Sequence, residues 1–160
     1  MDDQHRIEPA PDGGVRFFLP PAERELLLQL RAELLSLLDS APDDPSLERL
    51  FPPAYDDSRR DAEYRRLMED ELTDGHRQAF DVMEATAGRE KLSAAEAEAW
   101  LLALTDLRLV LGTRLDVAED TFAEGLDLSD PRAPELAVYG YLSWLQEMLV
   151  AAVSQASGLG

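Results

Sequence analysis

The sequence predicts an all-α fold, a single-domain helical bundle of about five to six helices, with a minor two-stranded β ribbon joining 15–19 to 90–92. Three observations lead there. Leucines recur at spacings of three and four over long stretches. All ten prolines fall between residues 9 and 53 or at 131 and 134, which leaves 54–130 free of the strongest helix breaker. A chain of 160 residues that is 45% hydrophobic fills one core, whereas two would each be marginal. The domain is expected over residues 13–157, behind a polar, proline-containing tail over residues 1–12.

Asp12-Gly13-Gly14 is a turn signal, and the β-branched and aromatic run Val15 to Leu19 after it suits a short strand. Its partner in the sequence is Glu90-Lys91-Leu92. Pro20-Pro21, followed by Glu23 and Glu25, suits a helix first turn. Leu26, Leu27, Leu30, Leu34, Leu37 and Leu38 continue that helix to about Asp39. Prolines at 42, 45, 52 and 53 end it, so Phe51 and Tyr55 are expected to anchor an extended loop.

Residues 59–72 predict a polar helix, and a weaker one runs from His76 towards Ala87. Ser93 with Glu96 forms a capping box for a long helix from Ala94 to about Val117. Trp100, Leu104, Leu107, Leu111 and Leu115 make one stripe, and Leu101, Leu102, Leu109 and Val110 cover much of the rest. Asp130 before Pro131 predicts the cap of a final helix whose only charges between Pro134 and Gln155 are Glu135 and Glu147. Two helices apolar around most of their circumference need cover on more than one side. Either both form the centre of a monomeric bundle, or part of their surface, with Trp100, Leu111, Gly112, Trp144 and Met148 as anchors, is buried in a homodimer.

Fifteen basic residues against 33 acidic ones give a net charge of −18. Such a surface repels phosphate backbones and anionic membranes. The chain has no cysteine, which removes disulfides, zinc-thiolate sites, iron–sulfur clusters and thiol redox sensing. The N-terminal residues lack a signal-peptide pattern. The richest apolar stretch, Trp100–Leu115, is interrupted by Asp106, Arg108 and Arg114, so no membrane helix is expected. These features predict a cytoplasmic protein.

The residues do not assemble a reaction centre. Histidine occurs only at positions 5 and 76, there is no phosphate-binding glycine loop, and no serine sits in a nucleophile elbow. No catalytic residue, cofactor or metal ligand is assigned. His76, after Gly75, is expected to be an exposed residue at a helix start. Two polar features stand out. Arg59, Arg60, Arg65 and Arg66 make a locally basic patch that suits either a salt-bridged helix face or an interaction site for phosphate or an acidic segment. Asp106, Arg108 and Arg114 lie within the most apolar helix, where charge needs a partner from another helix or subunit. Gly112 in the same helix predicts close approach by a neighbour.

Several strings together resemble a known family: Leu50-Phe51-Pro52-Pro53-Ala54-Tyr55, Glu63-Tyr64-Arg65-Arg66-Leu67, Ala97-Glu98-Ala99-Trp100-Leu101, Leu104 through Leu115, and Trp144-Leu145-Gln146-Glu147. Over Val15 to Val153 the chain is similar to the actinobacterial domain-of-unknown-function family numbered twenty-seventeen. Its members are also named oxidative-stress transcriptional regulators and are typically encoded near the ClpS protease adaptor. The resemblance implies a regulator of transcription and transfers no catalytic residue. Combined with the acidic surface, it leads to the expectation of a non-enzymatic regulator that contacts basic segments of a partner, such as a sigma factor or other transcription component. Alternative readings are a DNA-binding regulator using the 59–66 arginines and an adaptor linked to regulated proteolysis.

Overall fold

A computed structural model describes residues 5–41, 44–50, 74–117 and 128–156. A hairpin opens the fold. Strand β1 (Arg6–Pro9) turns through Gly13, at φ +91°, into antiparallel β2 (Val15–Phe18). The Asp12 carboxylate accepts from the Gly14 backbone N–H at 3.1 Å, and Ala10 N–H donates to the Gly14 carbonyl at 2.8 Å. β2 pairs on its other side with β3 (Lys91–Leu92), so the sheet has three strands in the order β1-β2-β3. The ribbon between 15–19 and 90–92 is therefore present, with one strand more than the sequence predicts. That strand lies inside the expected tail. Its pattern is hidden because Arg6, Glu8 and Pro9 face outward and only Ile7 is partly covered.

Helix α1 (Pro21–Ser40) follows directly, with proline in its first turn where a missing N–H costs nothing. A 3-10 turn (Pro45–Leu50) comes next, tied by Asp44, whose carboxylate accepts from the Ser46 N–H at 2.8 Å. Residues 74–86 form helix α2. Helix α3 (Ala94–Arg114) opens on the predicted capping box. Ser93 Oγ accepts from Glu96 N–H at 3.1 Å, and Glu96 Oε1 accepts from Ser93 N–H at 2.8 Å. α3 stops three residues before the expected Val117. Asp116 adopts a left-handed conformation (φ +54°), and the N–H groups of Asp116 and Val117 turn back onto the carbonyls of Thr113 and Gly112. This is the Schellman closure, with Asp in the place glycine usually takes.

Helix α4 (Ala133–Ala156) begins later than expected. The Asp130 carboxylate takes the Arg132 backbone N–H at 2.8 Å and the Arg132 guanidinium at 2.9 Å. Asp130 thus closes a local turn over Pro131 rather than capping a helix there. The five to six helices expected are not matched: the described residues hold four α-helical segments and the 3-10 turn. The helix predicted over 59–72 lies outside the described residues.

The core fills the angle between the sheet and the helices. Val15, Phe17 and Leu92 on the inner sheet face meet Leu27, Phe80, Met83, Trp100, Leu104, Leu142, Leu145 and Leu149. Alternation in the strands separates the two sheet faces, leaving Arg16 and Lys91 outside. α4 has 24 residues and, by length and composition, could cross a membrane. The sequence expectation that no helix qualifies is corrected, because two acidic residues leave its apolar content high enough. Its inner residues Leu142, Leu145 and Leu149 belong to the core.

Gly14 has no room for a side chain. A Cβ there would lie 2.4 Å from the Leu92 backbone carbonyl. Gly14→Ala must separate β2 from β3, and is expected to cost about 1–3 kcal/mol, the range of overpacking. A urea midpoint unchanged from the parent would show that the ribbon contributes nothing to stability.

Candidate functional site

The polar centre of the molecule was not visible as such in the sequence. His76, expected to be exposed, is 7% accessible, and its Nδ1–H donates to Asp106 Oδ2 at 2.5 Å. Asp106 itself is 2% accessible. The expectation for His76 is corrected: the apolar environment of α3 leaves the Asp106 carboxylate needing a buried partner, and the start of α2 supplies it. The hydrogen bond to the Asp106 carboxylate raises the His76 pKa above its ordinary 6.5, with help from the Leu50 carbonyl. Burial pushes the Asp106 carboxyl up as well. This geometry pins α2 to α3.

A second polar group joins α3 to α4. The Gln146 amide donates to Thr105 Oγ1 at 2.6 Å and accepts from Arg108 Nη1. The Arg108 guanidinium lies 5.6 Å from the centre of the Tyr139 ring. Over Gly112, the Tyr139 ring comes so close that an added Cβ would meet its Cε2 at 3.0 Å. Asp106 and Arg108 therefore take their partners from neighbouring helices of the same chain. Arg114 is exposed at the end of α3 and lines a shallow hollow with Glu33 and Leu37. Leu111 is partly covered beside Leu30 and Leu34.

Trp100 is fully buried. Its Nε1–H donates to Thr86 Oγ1 at 2.7 Å, and its ring centre is 4.7 Å from that of Phe17. Trp144 differs: it is 39% exposed on the outside of α4. The His5 ring stands edge-on to it at 5.1 Å, and His5 Nε2 is 2.7 Å from the Glu23 carboxylate. Met148 is 39% and Val150 46% exposed on the same helix, and Leu102 on α3 is 40% exposed. Ala137, Trp144, Met148 and Ala151 follow at helical spacing, so the outer face of α4 is an apolar stripe interrupted by Glu147. Phe51, Tyr55, Arg59, Arg60, Arg65 and Arg66 lie outside the described residues.

Among the described residues, no group of three or more His, Cys, Asp or Glu side chains is placed to hold a metal ion. The His76–Asp106 pair is buried and lines none of the hollows formed by the Arg6, Leu30, Gln29 and Ser143 surfaces among the described residues. What the fold and these contacts define is a small, mostly helical, acidic scaffold with polar clamps between its helices and one apolar helix face turned outward. The chain belongs to the family described as a domain of unknown function, DUF2017, which it matches over residues 4–153. It is 31% identical over 185 residues to the protein named oxidative stress regulator AosR in Mycobacterium bovis, across 91% of this chain and 84% of that one. The same figures hold for the protein of that name in Mycobacterium tuberculosis. No solved structure matches the chain.

Proposed function

We propose that this chain is a non-enzymatic regulatory protein of the oxidative-stress response, acting in the cytoplasm through contacts with other proteins. The regulatory role follows the names of its relatives. The observation that carries the contact mechanism is the outer face of α4. Trp144 and Met148 stand exposed on one face of a helix with two charges, in a chain of net charge −18. Exposed apolar side chains on one helix face, in a chain of strong net negative charge, fit a partner that offers an apolar strip flanked by basic residues. A transcription component such as a sigma factor has the chemistry required. The chain has no cysteine, so its own thiols do not carry the oxidative signal.

A homodimer closed over the same face is the second reading, favoured by the neutrality of α4, where two strongly acidic chains can meet with least repulsion. The test replaces Trp144 and Met148 together by serine in the producing cell. Transcript changes after oxidant challenge should then match those of a deletion strain, while the purified variant melts within a few degrees of the parent. A normal transcript response would rule out the α4 face as the working surface. Sedimentation at micromolar concentration separates the two occupants, since a dimer lost in the double variant favours self-association.

A further inference from the structure

The outer face of the sheet runs against the charge of the molecule. In a chain with more than two acids for every base, Arg6 and Arg16 are exposed and make no ion pair among the described residues. The register brings them together: Arg16 stands between Glu8 on β1 and Lys91 on β3, while Arg6 faces Phe18 across the hairpin, and no ion pair forms between Glu8 and either arginine. Neighbouring strands lie about 5 Å apart, so these cations share one small area. Lys91 is partly engaged by Asp12. Phe18 is only half-buried, and the Arg24 guanidinium lies 5.6 Å from its ring centre. Arg6, Arg16, Phe18, Glu90 and Lys91 line an open hollow of about 500 Å³.

We propose that this hollow binds a phosphorylated small molecule with a flat apolar body, of the nucleotide kind. Phosphate is suited to two guanidiniums that make no ion pair among the described residues, because paired N–H donors match its oxygens. The Phe18 ring offers an apolar surface beside them, and Glu90 accepts hydrogen bonds from hydroxyl or amino groups of the ligand. The volume fits a single small ligand. A polynucleotide is disfavoured, since a strand extending beyond the hollow meets a chain of net charge −18. The site is remote in kind from the α4 face and does not depend on it.

The experiment is calorimetric titration of the full chain with ATP in the presence of a chelator, beside inorganic triphosphate, adenosine and a thymidine oligonucleotide. ATP should bind more tightly than triphosphate, and adenosine more weakly than either. The Arg6→Ala/Arg16→Ala variant should lose affinity by about tenfold or more, as expected when charge-assisted hydrogen bonds are removed, with an unchanged melting temperature. Phe18→Leu keeps apolar volume for the fold and should bring ATP affinity down to that of triphosphate. No heat with ATP, equal affinity in the arginine variant, or preference for the oligonucleotide would each overturn the proposal.

Discussion

Trp100→Ala lowers the folding free energy by about 3–5 kcal/mol, the range for emptying a fully buried aromatic site. The indole is fully buried, with its ring centre 4.7 Å from that of Phe17 on β2. Removing it also leaves Thr86 Oγ1 without its donor, while the hydroxyl still reaches the Val82 carbonyl at 2.6 Å. Trp100→Phe isolates that hydrogen bond and should cost less. On α4, Trp144→Ala should change stability by about 1 kcal/mol or less, because much of that ring is already in water. Urea unfolding of the three variants checks the order. Equal losses at Trp100 and Trp144 would mean that the two rings are equally enclosed, against the structure.

The second large effect depends on pH. With the His76 pKa raised by Asp106 and the Asp106 carboxyl raised by burial, the folded pair holds protons more tightly than the unfolded chain. Its stabilisation is complete below the ordinary histidine value of 6.5 and is lost as pH rises through the folded value. Asp106→Ala should cost about 3 kcal/mol or more below pH 6.5, where a charged His76 is left buried without its counter-ion. Above the raised folded value His76 is neutral in both states, and the cost should shrink. Urea midpoints of parent and variant across the neutral range give the difference directly. A difference that grows with rising pH would reverse the sign and show that the pair is not held together by the histidine proton.

The helices were legible where local chemistry decides them. Ser93 and Glu96 place the start of α3 because a capping box is satisfied within one turn. Pro21 does the same for α1. Local signals fail where a distant group intervenes. Asp130 reads as a cap, but Arg132 folds back onto it and onto the Leu115 carbonyl at 2.6 Å, which moves the helix start to Ala133. Strand β1 has one covered residue in four, too few to show alternation. The apolar setting of Asp106 announced that it needs a partner, yet His76 lies thirty residues away, and sequence alone does not measure that distance across a fold. The α4 face was legible only as excess hydrophobicity. Which of its residues go inward required the packing of α3, β1 and α4 against one another, and this set Leu145 inside and Trp144 outside.

The account rests on the outer α4 stripe being covered by another protein in the cell. A photoreactive side chain placed at Met148, with one at exposed Gln29 on α1 as control, reads this directly. Irradiation of living cells should join the Met148 probe to a discrete protein species, with little or nothing from position 29. A probe at position 148 that captures no protein, before or after oxidant challenge, contradicts the account.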